Sequence, residues 1–220
     1  MTSYVQSPLT GNVPIDTRLS SFCAVEALIE SVSPESQAVS DAQDATSNVN
    51  VIALFNHEEV GSVSSTGAES SLLPSLLNRL SPTPQTLHQS IARSFLISSD
   101  MSHGVHPNYA SKHEENHRPQ LNRGVVIKSN AKQRYSTGQR ISRCPRIEIS
   151  KELPLLDAIG SFLIKRLISK RGGSAQEYEA RNDMRCGSTV GPFLSKMGVR
   201  TVDVGLAQLR CASSDKVLLI

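Results

Sequence analysis

Hydrophobic positions along this chain come in short blocks divided by polar stretches. Phe22, Val25, Leu28 and Ile29 recur at helical spacing after a polar start, which predicts a helix over Ser20–Ser31 with Cys23 as a small core residue. Residues 32–50 are polar and read as a surface loop. The run VNVIALF, residues 49–55, has the β-branched, continuously apolar character of a strand buried on both faces, and it ends directly in Asn56-His57-Glu58-Glu59. Helices are expected over Leu72–Leu80 and Pro84–Arg93, then a second buried strand over Ser94–Ser98 that ends at Ser99-Asp100. Val125–Lys128 is a third strand, Ala158–Lys170 a helix and Arg200–Val204 a last strand. Apolar strands alternating with helices, twice followed by acidic residues at a strand's carboxyl end, predict an α/β fold with its site at that end.

Composition sharpens this reading only slightly. The 220 residues carry 23 Lys plus Arg against 20 Asp plus Glu, a net charge of +3 that gives no argument for a nucleic-acid partner. Five Phe, four Tyr and no Trp leave few of the large side chains that anchor a core, which suggests an incomplete unit. No apolar run approaches the roughly 20 residues of a membrane span, and the first residues do not resemble a signal peptide, so no membrane partner and an intracellular location are expected. The four cysteines, 23, 144, 186 and 211, form no C-x-x-C pair, and no disulfide framework is expected; Cys186 beside Gly187 is placed to line a site.

Two constellations carry candidate chemistry. Asp16, Glu58, Glu59 and Asp100 each sit beside a turn or at the end of an apolar segment, where carboxylates suit metal ions and where adjacent glutamates can divide ligation from proton transfer. The segment 101–119, MSHGVHPNYASKHEENHRP, holds four of the six histidines: His103, His106, His113 and His117. That density is compatible with metal ligation, substrate contacts or a hydrogen-bonded polar loop, and none of its histidine pairs forms an H-E-x-x-H motif.

Taken together, ALFNHEEVGSVSSTGA, ISSDMSHGVHPNYASKHEENHRP, GVVIKSNAKQRYST and RNDMRCGSTVGP resemble, in order and spacing, the signatures of the aspartyl aminopeptidase family of dinuclear zinc exopeptidases, peptidase family M18. Upstream, IDTRLSSFCAVEALIES is similar to that family's segment with the metal-bridging aspartate. The resemblance implies part of a zinc-exopeptidase-like mixed sheet flanked by helices. It also implies removal of N-terminal Asp or Glu from peptides, two zinc ions per complete site, and homo-oligomeric assembly in the cytoplasm, with the vacuole as the alternative compartment. Asp16 matches the bridging ligand, Glu59 and Asp100 match one ligand for each zinc, and Glu58 matches the general base that takes the proton of the attacking water. Lys128 falls where the family places a cation suited to an acidic substrate side chain, and His106, His113 and His117 belong to the loop that orients substrate or neighbouring subunits.

The chain also departs from the family pattern. It starts just before the Asp16 segment and lacks the family's two metal-binding histidine segments, so the resemblance implies a partial catalytic domain without the dimerisation domain. Residues 138–156 read as an insertion and residues 210–220 as a divergent tail. The competing expectation is a catalytically inactive subunit that assembles only with full-length homologues.

Overall fold

A computed structural model describes residues 15–33, 48–55, 62–130, 135–137, 155–181, 183, 190–209 and 216–219, with the backbone alone for 15–18, 155–158 and 216–219. In chain order the elements are α1 (Ile15–Ser31), β1 (Ile52–Phe55), α2 (Leu72–Leu80), α3 (Pro84–Arg93), β2 (Phe95–Ser99) and β3 (Ser102–His103). A 3-10 segment (Pro107–Lys112) follows, then β4 (Val125–Ser129), α4 (Leu155–Lys170), β5 (Ala175–Glu179), α5 (Gly191–Ser195), β6 (Arg200–Gln208) and β7 (Lys216–Leu219). The strands form one mixed sheet in the order β1-β7-β2-β6-β4-β5, with β3 added alongside the end of β6. β2 runs parallel to β6 and β4 parallel to β5, whereas β4 is antiparallel to β6. This is the mixed α/β sheet that the sequence implies.

Side-chain alternation along the strands divides the core between the two faces. On one face Leu96 packs with Phe55, Leu73, Ile91, Val190, Leu194 and Val199, beneath α2, α3 and α5. On the other, Val202, Val204 and Ile127 meet Ile164 and Ile168 of α4, with Phe95 and Ile97 beside them. The start of α3 is fixed locally. Thr83 caps the helix by accepting from the Thr86 N–H at 3.2 Å, Thr86 Oγ1 accepts in return from the Thr83 N–H at 3.1 Å, and Pro84 opens the first turn.

Several sequence expectations need correction. Helix α1 begins at Ile15, five residues before the predicted start, which puts Asp16 in its first turn. Its apolar stripe does not face the sheet: Phe22, Val25 and Ile29 are exposed, as is Cys23, while Ser20 and Ala24 are buried. The small residues allow close approach of the helix to β1 and β7, so the larger ones point outward. Ile159, Phe162, Leu163 and Leu167 of α4 are likewise exposed. The strand read as buried on both faces is a sheet edge with Leu54 54% exposed, since β1 pairs only with β7 among the described residues.

The last predicted strand continues to Gln208, and β5 and β7 were not expected at all. β5 (AQEYE) has only one large apolar residue. β7 lies within the segment read as a divergent tail, yet it inserts antiparallel between β1 and β2. Cys144, Cys186, Cys211 and nearly all of the predicted insertion lie outside the described residues, as does most of the loop 32–50. Among the described residues no helix is long and apolar enough to cross a membrane.

Leu96 is fully buried at the sheet centre, so Leu96→Ala should lower the unfolding free energy by about 2–5 kcal/mol in urea titrations. Phe162→Ser, on the exposed side of α4, should change it by less than about 0.5 kcal/mol.

Candidate active site

β2 ends at Ser99, and the chain then crosses over β6 to form β3 on its far end. The Asp100 N–H donates to the Val204 carbonyl at 3.1 Å, and Gly104 N–H donates to Gln208 O at 2.7 Å. The crossing depends on Gly205, where any Cβ would collide with the backbone of Asp100 and Met101. Asp100 is thereby held at the carboxyl end of β2, partly buried. Its Oδ1 accepts from the Met101 N–H at 2.7 Å, and its Oδ2 lies 3.7 Å from Lys128 Nζ.

Lys128 is 1% exposed, which removes its ammonium almost entirely from water. Burial of that kind requires close acceptors. Nζ donates to the Asp100 carbonyl at 3.2 Å and to the Met101 carbonyl at 2.9 Å, and it lies 5.1 Å from the centre of the Tyr135 ring. Lys128 therefore grips the backbone around Asp100 as well as facing its carboxylate. With two of its three hydrogens given to carbonyls, one is left for Asp100 or for a substrate anion.

The histidine-rich loop is stitched to β5. Gln120 N–H donates to Gln176 Oε1 at 2.8 Å, Gln176 Nε2 donates back to Gln120 O at 3.0 Å, and Arg181 Nη1 donates to Ser111 O at 2.9 Å. Arg181 is itself aligned by a forked pair with Asp183. Within the loop, His106 Nδ1 accepts from the Asn108 N–H at 3.1 Å and its ring lies 5.1 Å from that of Tyr109. His113 packs edge-on against Tyr178, with Nε2 3.4 Å from the His103 carbonyl. His117 Nε2 stands 3.9 Å from Glu114 and 4.0 Å from Glu179. Glu114, Asn116, His117, Glu179 and Arg181 line an open cavity of about 590 Å³ beside this loop.

The structure thus brings Asp100 and Lys128 together, while His113 and His117 face β5. Asp16 is placed by its backbone alone, and Glu58 and Glu59 lie outside the described residues. Among the described residues no three His, Cys, Asp or Glu side chains are grouped to hold a metal. Of the residues that the resemblance assigns to zinc, Asp100 is the one whose side chain is described, and Lys128 faces it. Sequence reasoning missed two buried groups: Tyr135, whose ring centre lies 5.1 Å from Lys128 Nζ, and Asp203, which is bonded to the 135–137 turn. The signal for Asp203 was legible, because a charged residue between Val202 and Val204 in an apolar strand demands a partner.

The family described as "Aminopeptidase I zinc metalloprotease (M18)" matches residues 5–217 of this chain. The chain belongs to the M18 aminopeptidase family. It is 42% identical over 200 residues to a Ricinus communis protein named "Probable aspartyl aminopeptidase", covering 89% of this chain and 36% of that protein. The chain therefore spans little more than a third of the length of that relative. A chain solved in "Cryo-EM structure of the Ape4 and Nbr1 complex" superposes with a TM-score of 0.68 at 34% identity, over 93% of this chain and 35% of the other. The S. cerevisiae mApe1 dodecamer gives a TM-score of 0.60 at 26% identity, over 93% of this chain and 41% of that one.

Electrostatics around Asp100 extend to His103. His103 is exposed at its surface, yet the protein massed around its ring disfavours the charged form and Lys128 and His113 add like charge, so its pKa is lowered from 6.5 despite the opposing pull of Asp100. The folded state thus binds this proton more weakly than the unfolded chain does. The associated stability is complete above the ordinary histidine range and is lost as pH falls through the window just below 6.5. An NMR titration should place the His103 midpoint below 6.5, and Lys128→Gln should raise it; a midpoint at or above 6.5 in the parent chain contradicts this electrostatic account.

Proposed function

We propose that this chain carries the carboxyl-terminal part of an aspartyl aminopeptidase catalytic domain, in a protein that removes N-terminal Asp or Glu from peptides. The observation that carries the reading is the pairing of buried Lys128 with partly buried Asp100 just past the end of β2, two residues that the family resemblance assigns to one site. The family's description as zinc metalloproteases supports the metal requirement. In this proposal two ions are held, with Asp16, Glu59 and Asp100 among their ligands.

Glu58 is the group proposed to accept the proton of the attacking water and return it to the departing amine. Lys128 is the proposed counter-charge for the acidic side chain of the substrate, through the one N–H that the two carbonyls leave over. A carboxylate meeting that N–H in a water-poor site gains more than a neutral side chain would, which favours Asp or Glu at the substrate's first position. His106, His113 and His117 are proposed to shape the substrate side of the loop or its contact with a neighbouring subunit. Homo-oligomeric assembly is part of the proposal, and the dodecameric solved relative supports it. On the resemblance, the proposed compartment is the cytoplasm.

The purified chain supplied with zinc should release Asp from an aspartyl peptide faster than it releases Ala from the alanyl equivalent. Glu58→Gln should lower kcat by about 10²-fold or more. Zinc-supplied chain that releases no Asp, or a Glu58→Gln variant with undiminished turnover, refutes the assignment.

A further inference from the structure

Asp203 stands on β6 with 0% exposure, and none of the roles above uses it. A carboxylate in that position requires donors aimed at it. Its Oδ2 accepts from the Ser136 N–H, and its own N–H donates to Thr137 Oγ1 at 2.6 Å, so Asp203 binds the 135–137 turn twice. Gly191 packs closely against the carboxylate: an added Cβ there would stand 2.6 Å from Oδ2 and 2.8 Å from Oδ1. Gly191 N–H in turn donates at 3.1 Å to Ser98 Oγ, and Ser98 is the β2 residue in register with Asp203.

The turn held in this way carries Tyr135, buried and 5.1 Å by its ring centre from Lys128 Nζ. Strand alternation places Lys128 on the same sheet face as Asp203, because Ile127 pairs with Val204 and both belong to the α4 side. The aromatic ring is attractive to the ammonium and closes that side of it, while the Asp100 and Met101 carbonyls close another.

We infer that Asp203 is a positioning residue: by fixing the 135–137 turn it sets the Tyr135 ring against Lys128, and thereby sets where the Lys128 ammonium stands relative to Asp100. The inference rests on the proposal that Asp100 and Lys128 belong to an aminopeptidase site. A charged acceptor matters because an N–H bond to a carboxylate is roughly twice as strong as one to a neutral amide, and because an Asn amide would bring its own donors into the space beside Gly191.

The test uses the full chain with Asp203→Asn, and with Thr137→Val as a milder variant that removes only the hydroxyl accepting the Asp203 N–H. NMR reads amide exchange at Ser136 and the proximity of Tyr135 ring protons to the Lys128 side chain, and neither readout needs metal or turnover. In Asp203→Asn, exchange at Ser136 should accelerate about tenfold or more and the Tyr135–Lys128 contacts should weaken, while α3 amides stay unchanged. Thr137→Val should move both in the same direction by less. With zinc and an aspartyl peptide, KM should rise about tenfold in Asp203→Asn while kcat changes less than about threefold, since the displaced group is the proposed substrate counter-charge. Tyr135–Lys128 contacts at full strength in the folded variants, or unchanged Ser136 exchange in Asp203→Asn, overturn the inference. A parent chain that releases no Asp, while its variants show the NMR changes, overturns the aminopeptidase proposal and leaves the positioning role standing.

Discussion

An ammonium group taken out of water must find its hydration replaced by fixed acceptors, and the arrangement around Lys128 follows from that requirement. Its carbonyl partners, Asp100 and Met101, lie just past the end of β2, and its Tyr135 neighbour belongs to the turn after β4. The lysine can be satisfied only if β4 lies across β6 from β2, so that its side chain reaches the crossing segment. Gly205 lets that segment pass over β6, and the Asp100 N–H bond to Val204 keeps it there. One buried charge thus links the sheet order to the position of the site's carboxylate. Removing Lys128 would leave carbonyls and a partly buried carboxylate without their cation, a loss larger than that of an exposed ion pair.

The helical layer over the other sheet face follows a different constraint. α1 approaches through Ser20 and Ala24, and α4 through Gly160, Ile164 and Ile168, so the sheet is covered by narrow helix stripes. The bulkier Phe22, Ile29, Phe162 and Leu167 remain in water. Side chains of that size in solvent forgo the roughly 1.5–3 kcal/mol each would gain on burial, and they leave this sheet layer thinner than its apolar content would allow. The shortage of large aromatics noted in the sequence is therefore compounded by where two of the five Phe residues stand.

Elements with strong local signals were legible from sequence: α2 and α3 lie over the expected Leu72–Leu80 and Pro84–Arg93. β2, β4 and the start of β6 were visible as β-branched apolar runs. β5 was missed because AQEYE has neither alternation of large apolar residues nor a continuous run, and its pairing with β4 comes from the neighbouring strand. β7 was missed because a short strand between two others needs no amphipathic pattern of its own. Cys23 was misplaced for the complementary reason: helical periodicity identifies a stripe, and which stripe meets the sheet depends on how closely the backbones approach.

The sequence by itself determined the family, because motifs such as SSDMSHGVHPNYASKHEENHRP keep chemical groups in a fixed order, and it determined an α/β architecture through the spacing of its apolar blocks. It also put Asp100 at a strand end, since an acidic residue cannot continue a buried apolar run unpaired. Only the tertiary structure decided that Lys128 reaches back to Asp100, 28 residues before it, and that Asp203 holds the turn 66 and 67 residues before it. Those relations depend on strand order, crossing and register. A partner for a buried charge is chosen by proximity in the folded sheet, and a linear pattern shows that a partner is needed without showing which residue it is.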